Sequence, residues 1–274
     1  MVTSPASTFR LLALVLMGML VLMPAVSSAG MTPEEVKRYE AYKAKAEAGD
    51  ADAQYMVGQC FFQRVGVFYD STQMAYWWLK AAQQGHAEAQ YNLAFSYEDG
   101  VGVKKDTSQA IYWFRKSADQ GDAGAQHEIG YRYQIGEGVP QDIKLAFSWY
   151  KKSAVQGHPK AQHKLGYCYF NGEGVVKDLP EAIIWWRKAS EQGDADAQMK
   201  LAVAYVRGQG VPLDRIESYA YFKMASLHSQ FARESLTLVE AREFSPVEVS
   251  AGRVRAEALQ REIEAKMAAK KAGK

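Results

Sequence analysis

The chain has 274 residues, 33 Lys+Arg against 31 Asp+Glu and a formal net charge of +2 at pH 7. So balanced a chain carries no bulk electrostatic footprint for nucleic acid, and no nucleic-acid partner is expected. Two cysteines in a chain this long also exclude a disulfide scaffold.

The first 29 residues read as a secretory leader. Arg10 supplies the charged region, Leu11 to Met23 the apolar run, and Pro24 with Ala25, Ser27, Ser28 and Ala29 a small-residue cleavage site. Thirteen apolar residues reach only ~20 Å as a helix, short of the ~30 Å hydrocarbon core. The alternative is an uncleaved N-terminal anchor. Cleavage after Ala29 or after Ser27 fits, and with no cysteine at the site lipid attachment is not expected. The expectation is export to the periplasm or beyond the cell, with no membrane span left after cleavage. The chain that remains keeps 32 Lys+Arg (33 less Arg10) against 31 Asp+Glu.

Residues 30–48 predict an N-terminal capping helix. Thr32, Pro33 and Glu35 are an N-cap, a first-turn proline and the third-position acid of a capping box. Tyr42 and Ala46 fall where later segments keep an aromatic and a small residue, so this helix reads as the second half of an incomplete repeat.

From 49 to 228 one text recurs five times, starting at Gly49, Gly85, Gly121, Gly157 and Gly193, with a fixed period of 36 residues. A fixed period of this size marks a stacked helical repeat. Each copy reads as two helices. In the third copy Gln126, Ile129, Gly130 and Tyr133 form the inward stripe of the first helix. Small residues admit a neighbour at Ala53, Ala89, Ala125, Ala161 and Ala197, and again at Gly58, Ala94, Gly130, Gly166 and Ala202. Larger rings follow at Phe61, Tyr97, Tyr133, Tyr169 and Tyr205.

The turn between the helices has paired glycines in four copies, at Gly100 and Gly102, Gly136 and Gly138, Gly172 and Gly174, and Gly208 and Gly210. Recurrence in every copy points to positive φ at a helix end rather than to a phosphate loop. Arg64 replaces the first glycine in copy one, so a locally different turn is expected there. Asp70, Asp106, Asp142, Asp178 and Asp214 then cap the second helices, four of them with Gln or Glu three residues on, as in a reciprocal capping box. Each second helix presents an aromatic pair: Trp77-Trp78, Trp113-Phe114, Trp149-Tyr150, Trp185-Trp186 and Tyr221-Phe222. One ring is expected to pack within its repeat and the other against the next.

Cys60 and Cys168 hold the same place in copies one and four. Three repeats at ~10 Å each put them ~30 Å apart, against the ~7 Å a disulfide allows, so both are expected to be free and buried.

From 229 to 274 the pattern decays. Arg233 stands where the small residue was and Thr237 where the leucine-like core position was. A new capping box at Ser245, Pro246 and Glu248 starts a long polar helix that caps the C-terminal end, and Lys266, Lys270, Lys271 and Lys274 keep its tail soluble.

The shared text, A-x-x-G-D/H-x-x-A-Q-x-x-L-G-x-x-Y-x-x-G-x-G-V-x-x-D followed by alanine, an aromatic pair and lysine, closely resembles the Sel-1-like repeat family, relatives of the tetratricopeptide repeats. The resemblance covers about 34 to 228. It implies an all-α fold, an α-solenoid of antiparallel helix pairs in a right-handed superhelix, acting as an adaptor or scaffold for a protein or peptide. In such arrays the first helices line the concave face. The stripe opposite their core would carry Tyr55, Tyr91, Phe95, His127, Tyr131, His163, Tyr167 and Phe170, with Phe95, Tyr131 and Tyr167 as a central ladder. Exposed rings on one face are anchors for an extended peptide; tight curvature would instead pack them on one another.

No cofactor or metal is expected. His86 and His158 hold the helix-start position occupied elsewhere by Asp50, Asp122 and Asp194, and His127 and His163 are one repeat apart, too far to share a zinc ion. The cysteine-rich branch of the family has been linked to binding or hydrolysing β-lactams, but this chain lacks that branch's paired cysteines. Ser148 and Lys151 make a formal Ser-x-x-Lys without the companion motifs such an enzyme needs. A self-assembling envelope component is a further alternative; a monomeric adaptor is the expectation.

Overall fold

A computed structural model describes residues 30–272; residues 1–29, where a leader is expected, lie outside them. The described residues form thirteen helices and no strand. They are α1 (Pro33–Glu47), α2 (Ala51–Gln63), α3 (Ser71–Gln83), α4 (Ala87–Asp99), α5 (Thr107–Asp119), α6 (Ala123–Ile135), α7 (Ile143–Val155), α8 (Pro159–Asn171), α9 (Leu179–Ser190), α10 (Ala195–Arg207), α11 (Arg215–His228), α12 (Gln230–Glu243) and α13 (Pro246–Ala272). None is long and apolar enough to cross a membrane. Two compact units divide the chain, one ending at Gln120 and one beginning at Gly121. Each is a run of α-solenoid in which consecutive helices pack as pairs.

A buried glutamine fastens one repeat to the next. In the first unit Gln90 donates from Nε2 to the Ala82 carbonyl of α3 (3.0 Å), and its Oε1 accepts from Gln120 at the end of α5 (2.7 Å). One side chain on α4 therefore ties the preceding second helix to its own. Gln54 does the same with Ala46 and Gln84, which shows α1 standing in for the second helix of a missing repeat. In the second unit Gln162 bridges Ala154 (3.2 Å) and Gln192 (2.8 Å). Gln198 donates to Ser190, but its buried Oε1 has no partner, because the residue 36 positions after Gln192 is His228. Satisfying both ends of a buried amide is what makes such a brace favourable.

Helix pairing within a repeat is a matter of matched sizes. A Cβ placed on Gly58, Gly130 or Gly166 would lie 2.4, 2.9 or 2.5 Å from the ring of Trp78, Tyr150 or Trp186. Where the second helix offers only a phenylalanine, Phe114 or Phe222, the facing residue is Ala94 or Ala202. The second ring of each aromatic pair thus sits on its own first helix. The first ring reaches backward: Trp185 packs with Ala154 of α7 as well as with Ala161 and Leu165 of α8. The expectation that one ring packs inside its repeat and the other against the next is corrected in which ring does so: Trp185, the outer ring, meets the preceding repeat. It is the inner ring that has a neighbour ahead, as Tyr150 clusters with Cys168 of α8. In α1 the deeply buried ring is Tyr39, edge-on to Phe61, rather than Tyr42.

The turns behave alike in all copies. Arg64 takes φ 61°, ψ 38° and its N–H bonds the Cys60 carbonyl, the same left-handed cap that Gly100 makes on Ser96. Copy one therefore keeps the common turn, at a cost of about 1 kcal/mol for a non-glycine residue. Beyond it, Gly174 is held by its surroundings as well as by φ 72°, since a Cβ there would come 2.5 Å from the Ile143 carbonyl of the preceding second helix. The five turn aspartates accept from the third N–H of their helices, but the reciprocal half of the box is not made. In four copies the aspartate N–H is already bonded to a tyrosine carbonyl nine residues back, as in Asp178 to Tyr169 (2.9 Å). Glu181 is released to accept from Trp185 Nε1 and Glu217 to pair with Arg255. True capping boxes occur at Thr32–Glu35 and Ser245–Glu248.

The C-terminal segment departs from the sequence reading. α11 runs directly into Ser229, which ends that helix and caps α12. The Gly-Asp turn is lost and the register moves by one residue. Ala232 and Leu236, both buried, fill the small and core positions, so Arg233 and Thr237 replace neither. They lie exposed where a first helix would face its own second helix. The long α13 packs along α11 instead, with Gly252 against Tyr219 and Arg255 on Glu217 (2.7 Å). Polar residues on the vacant side of α12 suit the end of an array.

The size matching gives a test. Gly166→Ala should lower stability by roughly 1–2 kcal/mol, overpacking against Trp186 outweighing the better helix propensity of alanine. Adding Trp186→Phe should lower the penalty of Gly166→Ala in a urea double-mutant cycle; additive losses would show that the two positions are not coupled.

Candidate binding groove

The first helix of each repeat buries one face in the solenoid and turns another outward, and the exposed row is set by distance from the N-cap. Those N-caps are Asp50, His86, Asp122, His158 and Asp194, whose side chains all accept from the third N–H of the helix. The residue five places on leans against the N-cap of the next repeat. Tyr55 stacks on His86 at 4.4 Å between ring centres, and His127 lies 5.1 Å from His158. His163 holds the same relation to Asp194: burial keeps its imidazole below the usual value, and the acid opposes that shift. Burial also pushes the Asp194 carboxyl up, while its bond from Ala197 N (2.7 Å) pulls it down.

In the first unit the expected ring row is partly internal. Phe95 is buried, edge-on to Phe114 at 4.8 Å and to Tyr91 at 5.0 Å, so it packs the solenoid rather than offering an anchor. Tyr55 and Tyr91 are half-buried. His127, in the second unit, is likewise buried, between Tyr150 and His158. Phe170 packs on Trp186 at 5.3 Å. Phe95 and His127 are therefore not surface residues: Phe95 is covered by Phe114 and Tyr91 of its own repeat, and His127 by Tyr150 of its own repeat and the N-cap His158 of the next.

His163 and Tyr167 are brought together in a cleft of about 470 Å³ in the second unit. They come from α8 with Lys164; α6 contributes Gln134, α10 contributes Asp196, Met199, Lys200 and Val203, and α12 contributes Phe231. Lys164 sits over the Tyr131 ring at 5.6 Å and Lys200 over the Tyr167 ring at 6.0 Å, so Tyr131 borders the same surface. Phe231 is 71% exposed and Leu238, two turns along α12, is 60% exposed. Counted from Ser229, Leu238 occupies the row of Tyr131, Tyr167 and Val203. Sequence reasoning missed Phe231 and Leu238 because it kept the 36-residue register past His228. The signal was present in the serine, which is an ordinary N-cap residue.

The Ser148 hydroxyl donates to the Leu145 carbonyl of its own helix (2.7 Å), and Lys151 is exposed. Cys60 and Cys168 are free and buried, and burial raises the Cys168 thiol to about 12, the behaviour of a small apolar core residue.

The Sel1 repeat pattern matches residues 51–86, 87–122, 123–158, 159–194 and 195–229. Among solved structures, the chain is similar to a Sel1 repeat protein from Oxalobacter formigenes, at 30% identity and a TM-score of 0.69 over 82% of this chain and 97% of that one. It is also similar to a protective antigen of uropathogenic Escherichia coli displaying the SLR fold, at 32% identity and a TM-score of 0.71. There 81% of this chain aligns, spanning 48% of the antigen's length. The comparison with curated proteins gives no match.

The histidine N-cap has a pH consequence. Burial holds His158 down to about 3 from the ordinary 6.5; His127 and Lys160 add to the depression and Glu128 opposes it. A depressed base contributes stability that is complete above pH 6.5 and is lost as pH falls toward 3. Protonation at Nδ1 would also end its bond from Ala161 N (3.2 Å). Between pH 7 and 5.5 the loss from His158 should be roughly 1.2 kcal/mol. His158→Asp, the N-cap of three other copies, should flatten the urea-unfolding profile over that range by about this amount. An unchanged pH slope would show that His158 does not titrate with folding.

Proposed function

Because the chain belongs to the Sel1 repeat family, whose repeats commonly mediate protein–protein interaction and are mostly non-enzymatic, we propose that it is an exported adaptor that holds a polypeptide segment on the first helices of its second unit. One observation carries this reading. The cleft between Tyr167, Val203 and Phe231 exposes a large aromatic ring and aliphatic side chains next to polar groups, on the face that repeat packing leaves open. Exposed contiguous apolar surface rimmed by polar residues is what an interaction site presents. The leader supports export, and a single chain suffices to complete the cleft, in keeping with a monomer.

The expectation is directly measurable by photo-crosslinking in cells, with the crosslinking amino acid placed at 167, 203 or 231. These positions should capture a discrete polypeptide. The exposed apolar positions Val155 and Val176, which lie outside the cleft, should not. Capture of the same species from 155 and 176 but not from the cleft would overturn the assignment.

A further inference from the structure

The charge of the groove face changes along the chain. Two places after each N-cap stand Asp52, Glu88, Gly124, Lys160 and Asp196; six places after stand Met56, Asn92, Glu128, Lys164 and Lys200. Cationic groups thus gather on α8 and α10, Lys160 one turn from Lys164 and Lys200 in the matching position one repeat on. Neither Lys164 nor Lys200 is in an ion pair among the described residues. Each ammonium instead lies over a tyrosine ring, Tyr131 or Tyr167, which positions the charge without neutralising it. Of the carboxylates, Asp196 lines the cleft itself, Glu173 accepts from Gln134 at its edge (3.2 Å) and Asp194 faces His163, so the two lysines are the cationic groups of a surface that also carries acid. Beside the lysines the surface turns apolar at Met199, Val203 and Phe231.

From this charge complementarity we infer that the occupant of the cleft is an extended peptide with two acidic side chains three residues apart and a large apolar side chain beside them. The inference rests on the adaptor reading and specifies its partner. Equivalent positions on stacked helices are ~10 Å apart, and an extended chain in the polyproline II form has three residues per turn and rises ~3.1 Å per residue, so carboxylates at i and i+3 lie on one face ~9 Å apart and match Lys164 and Lys200. The apolar side chain then meets Val203 and Phe231, whose exposure the docking would remove. Association is steered by the lysines and weakens with salt.

The test uses the mature chain and fluorescence anisotropy with labelled decapeptides capped at both ends, so that no terminal carboxylate contributes. The first carries two glutamates three residues apart with a phenylalanine next to the second. The others replace the glutamates by glutamines or by lysines, or the phenylalanine by serine. The acidic peptide should bind, the glutamine and serine versions should each lose about tenfold, and Lys164→Glu with Lys200→Glu should reverse the preference toward the lysine peptide. Both substitutions lie on the outward face, and unchanged circular dichroism and urea midpoint would confirm the fold. Equal binding of the glutamine and glutamate peptides would overturn the acidic specificity and leave the adaptor reading standing. Failure of every peptide to bind overturns the inference, and only if crosslinking at 167, 203 and 231 fails as well does the adaptor reading fall with it.

Discussion

A single buried amide, repeated once per 36 residues, is the constraint on which this structure depends. Gln90 and Gln162 each place both polar atoms of one side chain between two helices that belong to different repeats. The bond to the preceding helix goes to a carbonyl near its end, and the bond to the helix that follows goes to another glutamine in the turn. Both partners must be present, because a buried acceptor left unmade costs about 1–3 kcal/mol. That demand fixes the helix lengths and the period together. It also explains why the five copies tolerate no insertion: moving either glutamine by one residue would turn it out of the bridge.

With the spacing fixed in this way, the remaining inward positions have only to exchange volume. Gly58 faces Trp78, Ala94 faces Phe114, Gly130 faces Tyr150, Gly166 faces Trp186 and Ala202 faces Phe222, so each pair fills nearly the same space. The outward row of the first helices is under no such rule. In the first unit it carries Asp52 and Glu88; in the second it carries Lys160, Lys164, Asp196 and Lys200, with Phe231 and Leu238 on α12. The chemistry on which the proposed binding rests is concentrated in the part of the repeat that packing leaves free to vary.

Periodicity made the helices, turns and caps legible, because every copy repeats the same local physics. The turn glycines, the aspartate caps and the free, buried cysteines all follow from it. Two things were hidden. Rings such as Phe95 and His127 sit on the nominal groove row yet are covered, Phe95 by Phe114 of the second helix of its own repeat and His127 by His158 at the start of the next, contacts that a single helix wheel does not contain. The sixth repeat was hidden by a one-residue deletion. Once Ser229 is taken as the cap, Ala232 and Leu236 return to their slots, and Phe231 and Leu238 to the groove. The same shift gives Arg233 and Thr237 a physical reason, as polar residues on a helix side that no second helix covers.

The amide brace stops at the last full repeat, where the Gln198 oxygen is buried without a partner opposite His228. The measurement that bears most directly on the account is therefore urea unfolding of His228→Gln, alone and in a Gln198→Ala background. A working brace predicts a gain of about 1–2 kcal/mol from His228→Gln when Gln198 is present and none when it is removed. No gain in the natural background, or the same gain in both, would contradict the glutamine bridge as the interaction that joins these repeats.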